Sequence, residues 1–278
     1  MDSKHKKILA IAKKEFMNNV RNKWVFILGL VFVGLILLTS AYGGLESRGE
    51  AGIKGYEFTI SVGSEMVVLL TSVVAIMLGY KTVVEEVESG NIGLLLTSEL
   101  DRKEIVTAKF LGLSTVLTAA VVGGLAVGGV LIGIMASFEG ALDYLYFMVL
   151  SLLFSLVFLS LAVLMSSVVK KKSHALAGGI FLWLFFNIVF ELILFGVLVA
   201  REGVPDLTGS QVEFVFPDWY WFASLLSPNE TFSMGVRLIM ERIDLPAILN
   251  LPFIVGSLLL WIIVPLALSL YIFERNDL

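Results

Sequence analysis

The stretch YLYFMVLSLLFSLVFLSLAVLMSSVV, residues 144–169, contains 26 consecutive residues without one charged side chain. As an α-helix it would be about 39 Å long, because each residue adds about 1.5 Å. The hydrocarbon core of a bilayer is only about 30 Å thick. The stretch therefore predicts a helix that crosses a membrane.

Five other runs along the chain are long and apolar enough to cross a bilayer. They lie near residues 25–42, 62–84, 109–136, 176–200 and 251–273. The chain has 278 residues and is 16% charged, against roughly 25% in a soluble domain. No repeat or low-complexity linker divides residues 1–278. We therefore predict a single all-α domain, a polytopic membrane protein with six transmembrane helices.

The basic residues are distributed unequally between the two sides that six spans define. Fifteen of the 20 Lys and Arg lie in the termini or in connections on the same side as the termini. Because cytoplasmic segments carry an excess of Lys and Arg, we expect both termini in the cytoplasm and the protein in the cell (inner, cytoplasmic) membrane. The five on the outer side are Arg48, Lys54, Arg201, Arg237 and Arg242.

Residues 1–24 precede the first span and have their own pattern. Apolar residues recur every four positions, while lysines and Arg21 occupy other faces. This spacing predicts an amphipathic helix that lies on the inner membrane surface. The alternative is a polar leader in which the periodicity arises by chance. The apolar stripe consists of Ile8, Ala12, Phe16, Val20 and Trp24.

Residues 201–250 form a long connection on the outer side. The segment has seven acidic residues, three basic residues and the aromatic run WYWF at 219–222. Aromatic side chains concentrate at the membrane–water boundary. We therefore predict a small helical cap that is half-embedded in the outer leaflet. Asn229 begins the glycosylation-type sequon NET, which has a meaning only in an organism that glycosylates.

Several kinds of chemistry have no candidate residues in the sequence. No GxxxxGK[ST] motif is present, so the chain has no phosphate-binding loop for ATP. It has no cysteine, and its two histidines, His5 and His174, are far apart. We predict no catalytic residue, no metal site and no nucleic-acid partner. The chain is therefore not expected to be an enzyme.

The segment VVEEVESGNIGLLLTSELDRKEIVTAKF, residues 83–110, places nine charged residues between two apolar runs. Within it, residues 85–108 form the predicted cytoplasmic coupling region. A break at Ser89, Gly90 and Asn91 would end one helix. Ser98 would cap another that begins near Glu99 and continues into the third span. The alternative is a solvated loop whose charges keep it out of the lipid.

The order of residues in this segment resembles the signature region of ABC transporter permeases of the type-2 exporter family. In that family a Glu-Arg-Glu-x-Gly-Thr motif is followed by a leucine-rich run, a Pro, an Arg and a Lys that opens the next span. The matching residues are Glu86, Glu88, Gly90, the leucines at 94–96, Arg102 and Lys109, whereas Val87, Asn91 and Glu99 replace the family's Arg, Thr and Pro.

The beginning of the chain resembles the same family. The segment IAKKEFMNNVRNKWVFIL, residues 11–28, is similar to the family's opening interfacial helix. Within the family, the pattern LGYKTVVEEVESGNIGLLLT is most similar to the permease of the copper-enzyme maturation system associated with nitrous oxide reductase. The resemblance covers most of the chain.

The resemblance implies a function and a set of partners. The chain would be the permease of an ATP-driven exporter, in which two copies form the path and dock two separate ATPase subunits. ATP and Mg would bind in the ATPase, and this chain would hold no cofactor. The alternative is a non-transporting scaffold or mechanical coupler that acts on an outer-side accessory protein. Lipid is the remaining partner.

The resemblance also implies which residues couple to the ATPase. They lie in the charged segment and in KKKSH, the other cytoplasmic connection, whose alternative interpretation is a positive-inside stop signal. These residues are Glu85, Glu86, Glu88, Gly90, Leu94, Leu95, Arg102, Lys170, Lys171 and Lys172.

A few residues inside the spans do not fit a purely apolar helix. Glu191 is ionisable, and Asn187 precedes it by one turn. The pair would line a translocation path, or Glu191 would reach the outer aqueous boundary. Glu65 is expected to reach the headgroups. Two GxxxG spacings in the third span indicate close helix packing within the subunit, or at a dimer seam. The glycines are Gly124, Gly128, Gly129 and Gly133.

Overall fold

The computed structural model of the protein describes residues 3–47, 53–89, 101–203, 216–240 and 245–275. Within these ranges the chain is helical and has no strand. Six helices are long and apolar enough to cross a membrane. The predicted all-α polytopic membrane protein is therefore confirmed.

The six spans follow the predicted apolar runs, and most extend beyond them. Span 3 occupies most of the helix Arg102–Met135. The bounds are Lys23–Glu46 for span 1, Ile53–Ser89 for span 2, Lys103–Met135 for span 3, Ala141–Val168 for span 4, Lys172–Glu202 for span 5 and Leu251–Arg275 for span 6.

Two of the spans are not uniform α-helices. Span 2 consists of Ile53–Met66, a π-helical segment Val67–Thr71, and Ser72–Gly79, followed after a turn by the short helix Val84–Ser89. Span 5 contains a second π-helical segment, Phe185–Val189, between Lys172–Leu184 and Phe190–Glu202. Both spans therefore have one wide turn in their middle part.

Polar side chains fix where helices begin. Asn22 Oδ1 accepts a hydrogen bond from the Trp24 backbone N–H at 3.1 Å and so caps span 1. A carboxylate oxygen of Glu104 accepts one from the Asp101 N–H at 2.9 Å, at the start of the helix that contains span 3. The predicted cap Ser98 and the predicted start at Glu99 lie outside the described residues.

The N-terminal helix, Ser3–Val20, packs on the beginning of span 3. Gly112 permits a close approach, because a Cβ atom there would lie 2.4 Å from the Ala12 carbonyl oxygen. Ile8, Ala12 and Phe16 are half-buried, whereas Val20 and Trp24 are 43% and 66% exposed, and the predicted contact with the membrane surface stays a prediction. The apolar stripe therefore contacts the rest of the protein along most of the helix and becomes exposed at the join to span 1.

Span 4 is the most buried of the six spans. Its face carries large aromatic side chains that are fully buried, among them Phe147, Phe154 and Phe158. Tyr144 OH donates a hydrogen bond to the Leu125 carbonyl of span 3 at 3.0 Å. Spans 2, 3, 5 and 6 and the second loop helix pack against this helix, whereas span 1 packs mainly on spans 2 and 3.

The described part of the connection between spans 5 and 6 contains two loop helices, Asp218–Ser224 and Pro228–Ile239. The Phe232 ring is fully buried, with its centroid 4.8 Å from that of Phe154. Phe154 lies about 20 Å along span 4 from its first residue. The second loop helix therefore packs between the spans, and the half-embedded position in the outer leaflet stays a prediction.

Candidate functional site

The first candidate site lies on the side of the bundle that carries the N-terminal helix and the end of span 6. Lys109 is buried there and forms an ion pair with Glu86. Its Nζ atom also lies 2.8 Å from the Thr82 carbonyl oxygen and 3.6 Å from a Glu15 carboxylate oxygen. We call Glu15, Glu86 and Lys109 the Lys109 cluster. The cluster connects the N-terminal helix, the end of span 2 and span 3.

The turn at residues 80–83 gives Lys109 its carbonyl partner. Thr82 Oγ1 donates to the Gly79 carbonyl at 2.7 Å, which holds the turn. Ser166 Oγ, from span 4, accepts hydrogen bonds from the Val83 and Val84 N–H groups at 2.9 and 3.0 Å. The first N–H groups of the short helix are therefore satisfied by another span.

A buried cation is stable only when opposite charge and hydrogen-bond acceptors surround it. Lys109 has both, and the side chains of Glu86 and Glu15 are only 19% and 21% exposed. Removing one partner from such a group leaves an uncompensated buried charge. The Lys109 cluster is thus a rigid attachment of the short helix Val84–Ser89 to the membrane bundle.

A second contact joins the two connections that were predicted to couple. Lys172 Nζ lies 3.0 Å from a Glu85 carboxylate oxygen, and the Lys172 backbone N–H donates to Glu88 at 3.3 Å. An exposed pair of this kind contributes little stability. The contact instead brings the two connections together. The charges of Glu85, Glu88 and Lys172 form one surface, which we call the docking surface.

The structure places the other predicted coupling residues as follows. Lys170 and Lys171 are exposed immediately before span 5, and Arg102 is the first residue of the helix that contains span 3. Gly90, Leu94 and Leu95 lie outside the described residues. A cavity of about 680 Å³ separates the N-terminal helix from the end of span 2, next to the docking surface.

Sequence reasoning missed two members of this site on the N-terminal helix. Asn19 is 2% exposed and donates from its side-chain amide to the Glu15 carbonyl at 2.9 Å. Both residues lie on the face turned towards span 3. Their spacing of four residues on an otherwise apolar face was the available signal, because i and i+4 share a helix face.

The second candidate site is a cavity of about 320 Å³ between span 2, span 5 and the second loop helix. We call it the polar cavity. Asn187 and Glu191, which were predicted to line a path, both line it. Glu65, Glu230 and Arg237 lie on its other walls. The cavity therefore brings together charged residues that are far apart in the sequence.

Both π-helical segments contribute to the wall of the polar cavity. Val68 and Leu69 come from the segment in span 2, and Phe186 and Asn187 from the one in span 5. The Trp183 indole N–H donates to Ser72 Oγ at 2.8 Å and joins the two spans beside the cavity. Single π-helical turns occur frequently at functional sites.

The structure places Glu65 at an exposed position on the wall of the polar cavity, and its contact with the headgroups stays a prediction. Span 2 begins at Ile53, nine residues before the start predicted at residue 62. Glu65 therefore lies about 18 Å along the helix from its first residue and faces the polar cavity. The apolar window missed this first part because it contains Lys54 and Glu57.

The second loop helix supplies the carboxyl group of Glu230, whose pKa is shifted. Burial raises the pKa of Glu230 above the ordinary glutamate value, and the neighbouring Glu191 carboxylate raises it further. Arg237 opposes the shift. Glu191 itself is exposed on the surface of a single chain, although it belongs to a spanning helix.

The structure places the glycines of span 3 against side chains of the same chain. Cβ atoms at Gly124 and Gly128 would lie 3.0 Å from Val33 and 2.6 Å from Ser40 of span 1. At Gly129 and Gly133 they would meet the rings of Tyr144 and Phe138, at 2.7 and 2.3 Å. All four positions require a small residue in this packing.

The sequon asparagine is not accessible in the folded chain. Asn229 lies in the first turn of the second loop helix and is 7% exposed. A glycan attached there would have to occupy space filled by the bundle. Asn229 instead lines the polar cavity.

Comparison with known proteins concerns the chain as a whole. Residues 9–278 match the family model described as ABC-2 family transporter protein. The chain is 31% identical over 281 residues to the Probable ABC transporter permease protein NosY of Stutzerimonas stutzeri, which covers 96% of this chain and 97% of that protein.

A second relative has the same name. The chain is 29% identical over 277 residues to the Probable ABC transporter permease protein NosY of Pseudomonas aeruginosa, covering 98% of this chain and 99% of that protein. The family resemblance predicted from the sequence is confirmed. The chain therefore belongs to the ABC-2 family of transporter proteins, as a membrane permease subunit of an ABC transporter.

Proposed function

We propose that the chain is the permease of an ATP-driven exporter in the cell membrane, with both termini in the cytoplasm. Two copies form the path, and each docks one separate ATPase subunit. ATP and Mg bind in the ATPase, so the chain itself contributes no catalytic residue. The excess of basic residues on the terminal side supports this orientation.

The observation that carries the proposal is the direct connection between the docking surface and the Lys109 cluster. Glu85, which pairs with Lys172, and Glu86, which pairs with Lys109, are adjacent in the same short helix. A force on the exposed pair therefore reaches a buried ion pair at the start of span 3. This arrangement suits a permease that is moved from outside the membrane by an ATPase.

The second copy is proposed because of the surface of span 5. Glu191 is exposed there among apolar side chains such as Leu192, which is 65% exposed. A carboxylate that faces lipid within a span is unfavourable and is normally covered by protein or water. A second copy on this face would enclose the polar cavity and complete the path.

The first test is purification of the tagged chain from its native membrane, followed by identification of what accompanies it. We expect an equimolar P-loop ATPase with the wild type and its loss with Glu85→Lys/Glu88→Lys. Glu139→Lys, an exposed change in the connection between spans 3 and 4, is the matched control. A chain that is folded and reproducibly alone would refute ATPase docking.

A mechanical coupler remains the alternative function, and one contact favours it. The Trp261 indole N–H of span 6 donates to the Leu225 carbonyl, between the two loop helices, at 3.1 Å. Movement of span 6 would therefore reach the outer side of the protein. ATP-dependent flux in proteoliposomes identifies an exporter, whereas ATPase docking with an outer-side partner and without flux identifies a coupler.

A further inference from the structure

Most of the charged residues that line the polar cavity are glutamates. Three carboxylates, those of Glu65, Glu191 and Glu230, line it. Arg237 is the one guanidinium on the same wall among the described residues. An ionised carboxylate can only accept hydrogen bonds, and a protonated one, which the raised pKa of Glu230 favours, still has oxygens that accept. The cavity therefore suits a ligand that donates hydrogen bonds and carries positive charge.

Asn229 gives an independent indication of a missing donor. The residue is more than nine-tenths buried and lines the cavity. Its Oδ1 atom accepts no hydrogen bond from any group in the described part of the chain. A buried carbonyl without a partner is unfavourable. A ligand N–H that reaches this atom from the cavity would satisfy it.

The apolar part of the cavity wall also suits an organic cation. Trp183 and Phe186 line it, and the Trp183 N–H is already used on Ser72. The N–H group is therefore not available to a ligand, which would contact the face of the indole ring instead. Positive charge over an aromatic face is attracted by the electron density of the ring.

The volume of the cavity and its lining residues favour a small organic molecule over a bare metal ion. A volume of about 320 Å³ lies at the lower end of the range for small-molecule sites. The described residues contain no group of three His, Asp or Glu side chains that could hold a metal ion. A bare divalent ion is therefore a poor match, and a small molecule with an apolar part is a better one.

We propose that the polar cavity binds a primary ammonium group, with Glu191, Glu230 and Asn229 as acceptors and Trp183 beside the apolar part of the ligand. The inference rests on the proposed function only in placing the site on the transport path. Binding itself requires neither the ATPase nor flux. The ammonium belongs to a free amine or to the headgroup of an aminophospholipid, and both offer the same donors.

The test uses the full-length chain in phosphatidylcholine nanodiscs and butylamine as the probe, with binding measured by isothermal titration calorimetry. Butan-1-ol tests the need for charge, and tetramethylammonium tests the need for N–H donors. We expect butylamine to bind about tenfold more tightly than either, which corresponds to about 1.4 kcal/mol. Equal binding of the three compounds, or no butylamine binding, would overturn the proposal.

Three variants locate the site. Glu191→Gln and Asn229→Leu should each weaken butylamine binding about tenfold, because each removes an acceptor for the ammonium N–H groups. Glu139→Gln, outside the cavity, should bind as the wild type does. Asn229 is buried, so size-exclusion profiles must show that its variant is folded. Glu191 is exposed, and unchanged binding in its variant would refute the assignment on its own.

Nanodiscs that contain phosphatidylethanolamine distinguish the two sources of the ammonium group. Weaker apparent butylamine binding in them identifies the lipid headgroup as the occupant, and unchanged binding identifies a free amine. Failure of the proposed function would appear separately, as a chain that binds butylamine but is purified without an ATPase.

Discussion

Lys109 is the central residue of the Lys109 cluster, on the side of the bundle that carries the N-terminal helix and the end of span 6. Its ammonium group replaces water with two carboxylates and one backbone carbonyl. Such a group is sensitive to the loss of either sign of charge, because the remaining charge stays buried. Variants that remove one partner or both can therefore measure how much the ion pair contributes to the stability of the protein.

The single variant Lys109→Met should destabilise the protein by roughly 1–3 kcal/mol, because it leaves Glu86 and Glu15 without their counterion. Thermal unfolding of the chain in detergent measures this. The double variant Lys109→Met/Glu86→Leu should recover much of the loss, since an apolar pair can replace a buried ion pair. A double variant no more stable than the single one would show that Glu86 has no structural part in the pairing.

Glu230 makes stability depend on pH. Its folded-state pKa is raised by burial and by Glu191, and lowered by Arg237. Tyr220 and Glu65 are the other titratable groups near these residues. The folded state therefore holds a proton that the unfolded state releases above the ordinary glutamate pKa, about 4.3. Stability from this group is present at low pH and is lost as pH rises towards the raised value.

We therefore expect Glu230→Gln to raise the Tm relative to the wild type at pH 8 and to leave it nearly unchanged at pH 4. Unfolding curves over this pH range test the expectation. Glu139→Gln, at an exposed position, is the control and should follow the wild type throughout. A difference between Glu230→Gln and the wild type that is the same at every pH would contradict a raised pKa.

At the residue level, the sequence predicts charged positions better than it predicts their partners. Glu86 and Glu88 were found from the pattern of the segment, and Asn187 and Glu191 from their rarity inside a span. Glu15 was missed because its partner Lys109 is 94 residues away and only packing brings them together. Glu230 was likewise not singled out within the predicted cap, because the cavity that it lines is formed by tertiary packing.

The N-terminal helix is the element whose position is easiest to test. Its carbonyl at Ala12 lies against Gly112, where backbone atoms cannot yield without moving the helix. Gly112→Val should therefore displace the helix from span 3 and destabilise the protein by about 1–3 kcal/mol, as overpacking does. Limited proteolysis of the N-terminal segment and thermal unfolding measure the two effects.

Gly123→Val is the matched control for this change. The position is in the same span, and a Cβ atom there would meet nothing within 4 Å. Its proteolysis and unfolding should resemble those of the wild type. Equal effects of the two substitutions would show that helix propensity, and not the contact with Ala12, is responsible.

The short helix Val84–Ser89 is the element that we expect to transmit the work of the ATPase. Glu88→Lys reverses a charge on the docking surface, next to the Lys172 backbone N–H. Because the position is exposed, the Tm should change little. The stimulation of ATPase activity by the reconstituted permease should be lost. Stimulation at the wild-type level would remove Glu88 from the docking surface.

Hydrophobicity alone predicts all six spans, but it does not predict their internal form. Span 2 begins before its apolar window because Lys54 and Glu57 lie in its first turns. The π-helical segments Val67–Thr71 and Phe185–Val189 are mostly apolar, and each contains one polar residue, as neighbouring turns of the spans also do. Nothing in such composition distinguishes a wide turn from a regular one, so the polar cavity had to be found in the structure.

On the scale of the whole molecule, the outer surface of the bundle indicates where a second copy would bind. Span 5 is the least buried of the six spans, and it carries Glu191 on an exposed face. The chain has no cysteine, so single-cysteine variants can be made without removing any native one. We expect Leu192→Cys to form disulfide-linked dimers in native membranes under mild oxidation.

Val127→Cys is the control for this experiment. Val127 is 55% exposed at a similar depth, but it lies on span 3. It should remain monomeric on a non-reducing gel. Dimers formed by Val127→Cys and not by Leu192→Cys would place the seam on span 3 and leave Glu191 to be covered in another way.

Span 2 carries the short helix of the docking surface at one end and a wall of the polar cavity in its middle. Each residue inserted or deleted between them would rotate one relative to the other by about 100° and shift it by about 1.5 Å. Glu86 and Glu65 could then not face Lys109 and the polar cavity at the same time. The length of this segment is therefore under stricter geometric control than its composition. Apolar exchanges of similar volume should be tolerated along it, whereas the loss of a single residue would break the mechanical connection between the two sites.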